Sequence, residues 1–431
     1  ALRNFTTLTK NGDGLWTVSG SLSGFTTVTV NDGTLALTGN NLDYTGNVIV
    51  RPDGVLEARA QSLPVKTIAV NNINNVQNDG LVRFTQPDDG TYTGQIVGSG
   101  AVEKTGTGVL TLTPATVAGN TYSGGTRINE GTIAVSADSA LGNANGGLTF
   151  DGGALRFDSS FDLANSRAIV LNAGGGTFDT NGNTTNVTQV ITGTGGFSKT
   201  GAGVLNLEGA NTYSDTTTVT GGALYVNGDQ SAATGPTSVE NDATIGGVGT
   251  IGGNVTLQNG GTLAPGRAGD APGELTVNGD LALSSGSMLE YSFGQANVVG
   301  GPLNDLTTVK GNLNLDGTIN VVATPGGSFD PGVYRVISYD GTLTDNGLTI
   351  GTIPASGYYV QTAVANQVNL VNTSGLNLTY WDVWTASNGA IGNGAVNGGT
   401  GTWQSSGSGG ANINWTEPTG AINAPYLDDA F

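Results

Sequence analysis

The side chains of this chain that could catalyse a reaction are mainly carboxylates. Asp151, Asp158 and Asp162 lie close together in the sequence, and Asp428 and Asp429 are adjacent. Glycoside hydrolysis needs two carboxyl groups about 5–10 Å apart, so both groups are candidates for that reaction. Asp also forms turns in chains rich in Gly and Asn. Because turn formation is the commoner role in such a chain, we predict turn residues and no catalytic residue.

Cations and phosphate have equally weak candidate sites. A calcium-binding β-roll needs a nonapeptide in tandem, whereas Asn11-Gly12-Asp13-Gly14 occurs singly. Gly174-Gly175-Gly176 is not followed by the Lys-Ser/Thr pair of a phosphate loop. We therefore predict no cofactor and no calcium array, and isolated calcium sites remain open. A polysaccharide lyase would need clustered basic residues, but those of this chain are scattered: Arg51, Arg127, Arg156, Arg167, Arg267 and Arg335.

The chain contains no Cys and no His. Disulfides, thiolate nucleophiles and Cys-ligated zinc are therefore excluded. The Ser-His-Asp triad and His-ligated metal sites are excluded as well. This is the strongest negative indication of function in the sequence.

Aromatic and lysine positions are further candidates. Four of the five tryptophans, Trp381, Trp384, Trp403 and Trp415, fall near the end of the chain. They could stack on carbohydrate, but we predict that they cover the open end of a β-structure.

Two pairs of residues recur with the repeats described below. We predict that Lys104 and Lys199 are charges on an exposed edge strand. For Tyr122 and Tyr213 we predict packing against turns rather than ligand contacts.

Composition indicates an ordered all-β protein. Of 431 residues, 73 are Gly and only 11% are charged, while Val, Thr, Ile and Leu recur in short alternating runs. The net charge of −19 disfavours nucleic acid and anionic membranes as partners. No apolar run is long enough for a transmembrane helix and no signal peptide is visible. We interpret the chain as a piece of a longer precursor.

Internal repeats provide the main positive signal. Lys104, Gly106 and Leu110 recur as Lys199, Gly201 and Leu205, and a weaker copy spans Lys10 to Leu37. Within a copy, apolar residues alternate with polar ones, which is the period of a half-buried strand. Short strands, Gly/Asn turns and long imperfect repeats favour a parallel β-solenoid. At about 20 residues per turn, we expect roughly 20 turns and a rod on the order of 100 Å long.

Three regions follow from the pattern. Residues 1–240 are predicted to form a solenoid with three imperfect repeat copies. Residues 241–375 continue it with variant repeats such as Gly273-Glu274-Leu275-Thr276-Val277. Residues 376–431 form the Trp-rich segment, either an end cap or the start of a further repeat.

The repeats resemble the autotransporter-associated β-strand repeat of bacterial autotransporter (type V secretion) passengers. The residues that match that repeat in the central copy are Lys199, Gly201, Gly203, Leu205, Leu207, Gly209, Asn211, Thr212, Tyr213, Thr217, Val219, Gly222, Leu224 and Val226. Asp215 departs from the Gly that is frequent there. The resemblance implies a right-handed parallel β-helix that is exported to the cell surface or secreted. It also implies a C-terminal outer-membrane barrel in the same precursor, which this chain lacks.

From these features we expect a non-catalytic surface rod that is adhesive or self-associating. Its partners would be further copies, a host or extracellular-matrix surface, or carbohydrate, and not nucleic acid. Two alternatives remain open: a polysaccharide-cleaving β-helix enzyme, and a secreted effector or spacer released from the surface.

Overall fold

The chain folds into short strands that are joined by turns. The computed structural model describes residues 5–64, 76–269, 271–354 and 356–374, and the backbone of 380–381, 415–416 and 423–424. The helical elements in these residues are two single-turn 3₁₀ helices, Ala60–Ser62 and Asp138–Leu141. No helix in the described part of the chain is long and apolar enough to cross a membrane. The all-β prediction is confirmed.

Four large sheets, A to D, run along the molecule, and each strand pairs mainly with strands of the turns before and after it. Sheet A contains Thr7–Lys10, Leu15–Val18, Thr27–Leu37, Asn47–Ala58, Val76–Asn78, Leu81–Thr85, Ile96–Val97, Ala101–Thr105, Thr126–Ile128, Leu148–Phe150, Ile169–Leu171 and Ile191–Gly193. Sheet B contains Gly90–Tyr92, Val109–Leu112, Thr132–Val135, Ala154–Phe157, Gly176–Asp179, Phe197–Thr200, Thr217–Val219, Thr237–Val239, Val255–Leu257, Leu281–Leu283, Leu313–Leu315 and Leu343–Asp345. Sheet C contains Thr184–Val187, Val204–Leu207, Gly222–Val226, Ala243–Gly247, Thr262–Pro265, Met288–Phe293, Thr318–Ala323 and Thr349–Ile350. Sheet D contains Asp229–Gln230, Thr250–Ile251, Glu274–Val277, Leu306–Val309, Gly332–Tyr339, Tyr358–Gln361 and Gln367–Asn372.

Parallel pairing between successive turns makes the molecule a β-solenoid, as the repeats predicted. Thr7 pairs with Thr27, and Leu281 pairs with Leu313, so a turn grows from 20 to 32 residues along the chain. Sheets A and B each hold 12 strands. Sheet A ends at Gly193 and sheet B continues to Asp345, so the solenoid is longer than either sheet alone. Because turns lengthen to as many as 32 residues, the described residues form fewer turns than the roughly 20 turns and 100 Å expected from 20 residues per turn.

Alternation between inward and outward side chains builds one continuous core. Leu205 and Leu207 are fully buried, whereas Asn206 between them lies half-buried on the outer face. Larger side chains stack from turn to turn inside the solenoid. The ring of Phe178 lies 5.5 Å from that of Phe150 and 5.3 Å from that of Phe197. The core is thus a column in which each residue contacts mainly the turns above and below it.

Polar side chains fasten consecutive turns at the corners of the variant region. The Asn254 Oδ1 accepts the backbone N–H of Asp280 at 2.9 Å. The Asp280 Oδ1 in turn accepts that of Asn312 at 2.7 Å, and the Asn312 Oδ1 that of Thr342 at 3.0 Å. Asn and Asp suit this role because a short side chain places an acceptor close to the neighbouring backbone. Gly, Asn and Asp therefore allow the backbone to bend at the corners, and Asn and Asp also link consecutive turns by hydrogen bonds.

Antiparallel pairing replaces parallel stacking at the C-terminal end of sheet D. Gly332–Tyr339 pairs antiparallel with Gln367–Asn372, which also pairs antiparallel with Tyr358–Gln361. Farther along, the backbones of Tyr380–Trp381 and Trp415–Thr416 pair antiparallel. The tryptophan side chains, together with Asp428 and Asp429, lie outside the described residues. The boundaries at 240 and 375 stay a prediction.

Candidate interaction surface

The repeated lysines are buried, so the prediction of exposed edge charges was wrong. Lys10, Lys104 and Lys199 are each 0% exposed. The Lys199 ammonium donates to the carbonyl oxygens of Thr200 at 3.0 Å, Gly201 at 2.8 Å and Gly221 at 2.8 Å. Since Gly221 belongs to the following turn, the lysine binds two turns together. We call this arrangement the lysine bracket.

The same bracket forms in the other copies. The Lys104 Nζ donates to Thr105 O at 3.1 Å and Glu130 O at 3.1 Å, and also to Gly106 O. The Lys10 Nζ donates to Asn11 O, Gly12 O and Asp32 O. The period of two could have revealed the burial, because Lys199 has the same parity as the inward-facing Phe197. Its aliphatic stem lies in the core between Phe178 and Val219.

Burial lowers the pKa of two bracket lysines, which predicts a characteristic pH dependence. Loss of hydration lowers the pKa of Lys104 to about 8, partly opposed by Glu130, and lowers that of Lys199 to about 8, partly opposed by Asp179. An unfolded lysine titrates near 10.4. Between these values the unfolded chain binds more protons, so the free energy of unfolding should rise from about pH 8 to about pH 10.

Above pH 10 the trend should reverse. Burial raises the pKa of Tyr122 and of Tyr213 to about 12, and unfolded tyrosine ionises near 10. The folded chain then binds more protons, and stability falls with pH. Urea unfolding across pH 7–11 measures both the rise and the fall in the free energy of unfolding. In the variants K104M and K199M the rise between pH 8 and pH 10 should be smaller. A rise of equal size in the double variant K104M/K199M would contradict this assignment to the lysines.

Glycine is required where successive turns approach closely beside the bracket. Gly222 has φ +62°, and a Cβ there would lie 2.4 Å from the carbonyl oxygen of Gly203. We expect Gly222→Ala to lower the free energy of unfolding by about 2–4 kcal/mol, from left-handed strain plus overpacking. The matched control is Gly182→Ala, at φ +86° with no atom within 4 Å of the added Cβ. This control should cost only about 1–2 kcal/mol. Equal losses in urea unfolding would rule out the close approach as the cause.

The repeated tyrosines pack against turns, as predicted. Tyr122 and Tyr213 are 0% and 2% exposed. Their hydroxyl groups bond to Thr126 Oγ1 and Thr217 Oγ1, each at 2.7 Å. The two copies therefore place the same pair of side chains inside the solenoid.

Each of the three clustered carboxylates makes a hydrogen bond or an ion pair with a residue of the same or the next turn. The Asp151 Oδ1 accepts the backbone N–H of Gly174 at 2.8 Å, and the Asp162 Oδ1 accepts that of Asn186 at 2.8 Å. Asp158 pairs with Arg156 at 2.7 Å. All three side chains thus contact a neighbouring turn or strand, and the absence of a catalytic role stays a prediction. In the described part of the chain, no group of three or more acidic side chains is placed to hold a metal ion.

The candidate arginines occupy separate places. Arg51 and Arg127 are exposed, Arg267 pairs with Glu208 at 3.5 Å, and the Arg335 Nε donates to Asn369 Oδ1 at 2.8 Å. Arg156 pairs with Asp158, and Arg167 is buried.

Arg167 is 0% exposed and bonds to the 3₁₀ helix Asp138–Leu141 of the preceding turn of the solenoid. Its Nη2 pairs with Asp138 Oδ2 at 2.8 Å, and its Nη1 donates to Gly146 O at 2.5 Å. Residue spacing alone could not reveal this contact, because the partners are 29 positions apart.

Charged residues of alternating sign stack on sheet A. Glu57, Arg83 and Glu103 occupy paired outward positions on successive turns. Arg83 Nε lies 3.0 Å from Glu103 Oε2, and Arg83 Nη1 lies 3.6 Å from Glu57 Oε2. Opposite charges directly across neighbouring strands stabilise a sheet modestly. These three side chains are therefore paired with one another.

Sheet B carries an uncharged row on its outer face, beside the outward charged residues Arg156 and Asp179. One outward position carries Thr, Ser or Ala on eight successive turns: Thr132, Ala154, Thr177, Ser198, Thr218, Ser238, Thr256 and Ala282. All eight side chains are half-buried. We call this the hydroxyl row. At about 4.8 Å per turn it extends about 35 Å along the solenoid, and it lies on a chain whose net charge is −19.

The repeats match a known family. Residues 8–37, 30–58, 102–135 and 197–226 match the passenger-associated-transport-repeat family. Three of these are the copies found by self-comparison. The match at 30–58 is a fourth copy, in which Val30 occupies the inward position paired with Lys10. Self-comparison missed it because the lysine is absent.

A curated relative shares a longer stretch. The adhesin BmaC autotransporter of Brucella suis biovar 1 (strain 1330) is 47% identical over 249 residues, which are 57% of this chain. The same stretch is 7% of that protein, so this chain corresponds to a small part of the relative's length. The repeats and this similarity support an autotransporter passenger region that contains passenger-associated-transport repeats.

Proposed function

We propose that this passenger region is a non-catalytic rod, at the cell surface or secreted, that mediates adhesion or self-association. The observation that carries the proposal is the hydroxyl row, an uncharged row of outward residues continuous over eight turns, six of which carry Thr or Ser. The relative that matches most of the chain is named an adhesin, which supports the same function.

A regular row suits adhesion for a physical reason. Each Thr or Ser hydroxyl can donate and accept one weak hydrogen bond. Many weak contacts on a rigid support act together, since the first contact raises the effective concentration for the others. The row itself adds no negative charge, so contacts made by it bring less repulsion from another acidic surface than contacts made by the carboxylates of the chain would.

We also propose that the rod does not catalyse a reaction, because the candidate carboxylates and the buried arginine are engaged in contacts between turns or with a neighbouring residue. Asp151 and Asp162 accept hydrogen bonds from the backbone of the following turn, and Asp158 is paired with Arg156. Arg167, the buried arginine, is bound to Asp138 and to backbone carbonyls. These contacts support a role in stacking turns rather than in acid–base chemistry.

The test is attachment and settling of a non-aggregating bacterial host that displays the full-length precursor. The triple variant Thr177→Arg, Thr218→Arg and Thr256→Arg charges the hydroxyl row on alternate turns. A matched variant, Thr184→Arg, Ala223→Arg and Thr262→Arg, charges the outward row of sheet C in the same rhythm. We expect attachment or settling to be lost in the first variant and kept in the second.

Surface display and protease resistance of both variants control for folding. Equal activity of the two variants would show that the hydroxyl row is not the adhesive face. A displayed wild-type passenger that causes neither attachment nor settling would contradict adhesion and favour a spacer or a released effector. Cleavage of polysaccharide by the passenger would instead favour the enzyme.

A further inference from the structure

A small cavity lies in the core where the repeat region meets the variant region. Its volume is about 10 Å³, close to what one water molecule requires. The lining contains no charged side chain and consists of Tyr213, Thr217, Leu224, Val226, Gln230, Ala233, Thr237, Ile245, Ile251 and Gly252. A ligand there must be small and neutral.

A buried donor in the lining has no partner among the described residues. Gln230 is 4% exposed, and its Nε2 makes no hydrogen bond. A buried polar group without a partner destabilises the fold, so native proteins satisfy nearly all of them, often with ordered water.

In the preceding repeat copy, the equivalent threonine has a carbonyl partner that is missing at this cavity. There, Thr126 Oγ1 donates to Leu141 O at 3.2 Å, so its oxygen accepts from the Tyr122 hydroxyl. In the later copy, Thr217 Oγ1 bonds to Tyr213 at 2.7 Å and has no carbonyl partner in the described residues. When Tyr213 donates to Thr217, as Tyr122 does to Thr126, the proton of the Thr217 hydroxyl is a second donor at this cavity.

An asparagine on the same turn shows the same difference between the copies. The Asn120 Nδ2 donates to Ala140 O at 2.7 Å. Asn211 uses its Oδ1 to accept the backbone N–H of Ile191, but its buried Nδ2 has no partner in the described part of the chain. The cause is the following turn. Asp138–Leu141 is a 3₁₀ helix that presents carbonyls inward, whereas the later copy is followed by the short strand Asp229–Gln230.

We propose that this cavity binds one water molecule, which accepts hydrogen bonds from Gln230 Nε2 and Thr217 Oγ1. Water fits the volume, carries no charge and has two lone pairs for two donors. It also serves if the Gln230 amide is turned over, since water can donate as well as accept. The water then replaces the carbonyl that Leu141 provides in the preceding copy, and it joins two turns of different type.

The first test is a crystal structure of the wild-type chain at atomic resolution. We expect a density peak within about 3.2 Å of both Gln230 Nε2 and Thr217 Oγ1. A cavity without such a peak would overturn the proposal, whatever any variant does.

The second test counts long-lived internal waters by ¹⁷O magnetic relaxation dispersion. Gln230→Met keeps the side-chain length but removes the donor, and a buried water needs at least two polar partners. We expect one long-lived water fewer than in the wild type. The control is Gln258→Met, at an exposed position, which should leave the number unchanged. An unchanged number in Gln230→Met would place the water elsewhere and refute the assignment.

Discussion

Replacing Phe178 by alanine is expected to lower the free energy of unfolding by about 3–5 kcal/mol. Phe178 is 0% exposed, and its ring lies 5.3–5.8 Å from those of Phe150, Phe157 and Phe197. The strands on both sides of Phe178 are held by pairing between turns, so few side chains can move in to fill the space. The loss therefore includes a cavity term in addition to lost hydrophobic transfer.

The neighbouring residue provides a matched control. Thr177 precedes Phe178 on the same strand but is half-buried on the outer face, and Thr177→Ala should change stability by no more than about 0.5 kcal/mol. Urea unfolding measures both variants. Hydrogen exchange should locate the loss in the turns next to residue 178, because a solenoid turn contacts only its neighbours. Similar losses in the two variants would mean that burial on this strand is not as described.

Removing the carboxylate of Asp138 is expected to cost about 3–5 kcal/mol. Asp138→Ala leaves the Arg167 guanidinium, which is 0% exposed, without its counter-charge. The remaining carbonyl partners, Gly146 O at 2.5 Å and Leu141 O at 3.2 Å, carry only partial charges. A buried charge that has lost its partner is one of the few causes of a large single-site loss.

A second Arg–Asp pair of the same chain separates burial from pairing. Arg156 and Asp158 are 29% and 23% exposed, and Asp158→Ala should cost no more than about 1 kcal/mol. The double variant Asp138→Ala/Arg167→Met should recover part of the loss, because it removes the unpaired charge as well. Equal costs for the two aspartates in urea unfolding, or no recovery in the double variant, would refute the buried-pair explanation.

Much of the architecture was predictable because a solenoid repeats the same local sequence pattern in each turn. Apolar alternation at Leu205 and Leu207 predicted a strand with one inward face, and Gly and Asn predicted turns between such strands. Repetition of these signals predicted parallel stacking, since identical strands in successive turns bring identical faces together. Composition also predicted that Asp151, Asp158 and Asp162 are turn residues.

The errors concern residues whose polarity conflicts with their position. Lys199 is charged, and a charge favours solvent, but its inward parity and three carbonyl partners outweigh that preference. A buried ammonium is tolerated only because those carbonyls replace its water. The fourth repeat escaped notice for the opposite reason, since Val30 fills the lysine position without needing any such partner.

The sequence by itself determined the fold class, the repeat and the inward face of each strand, because these depend on residues a few positions apart. Only the tertiary structure decided which side chains meet across turns. Arg167 finds Asp138, and Asn120 finds Ala140, at separations that vary with loop length. The hydroxyl row likewise depends on register: a turn of 18 or of 26 residues must still bring Thr, Ser or Ala above its predecessor. Register is set by packing and hydrogen bonding between turns, which spacing along one chain does not specify.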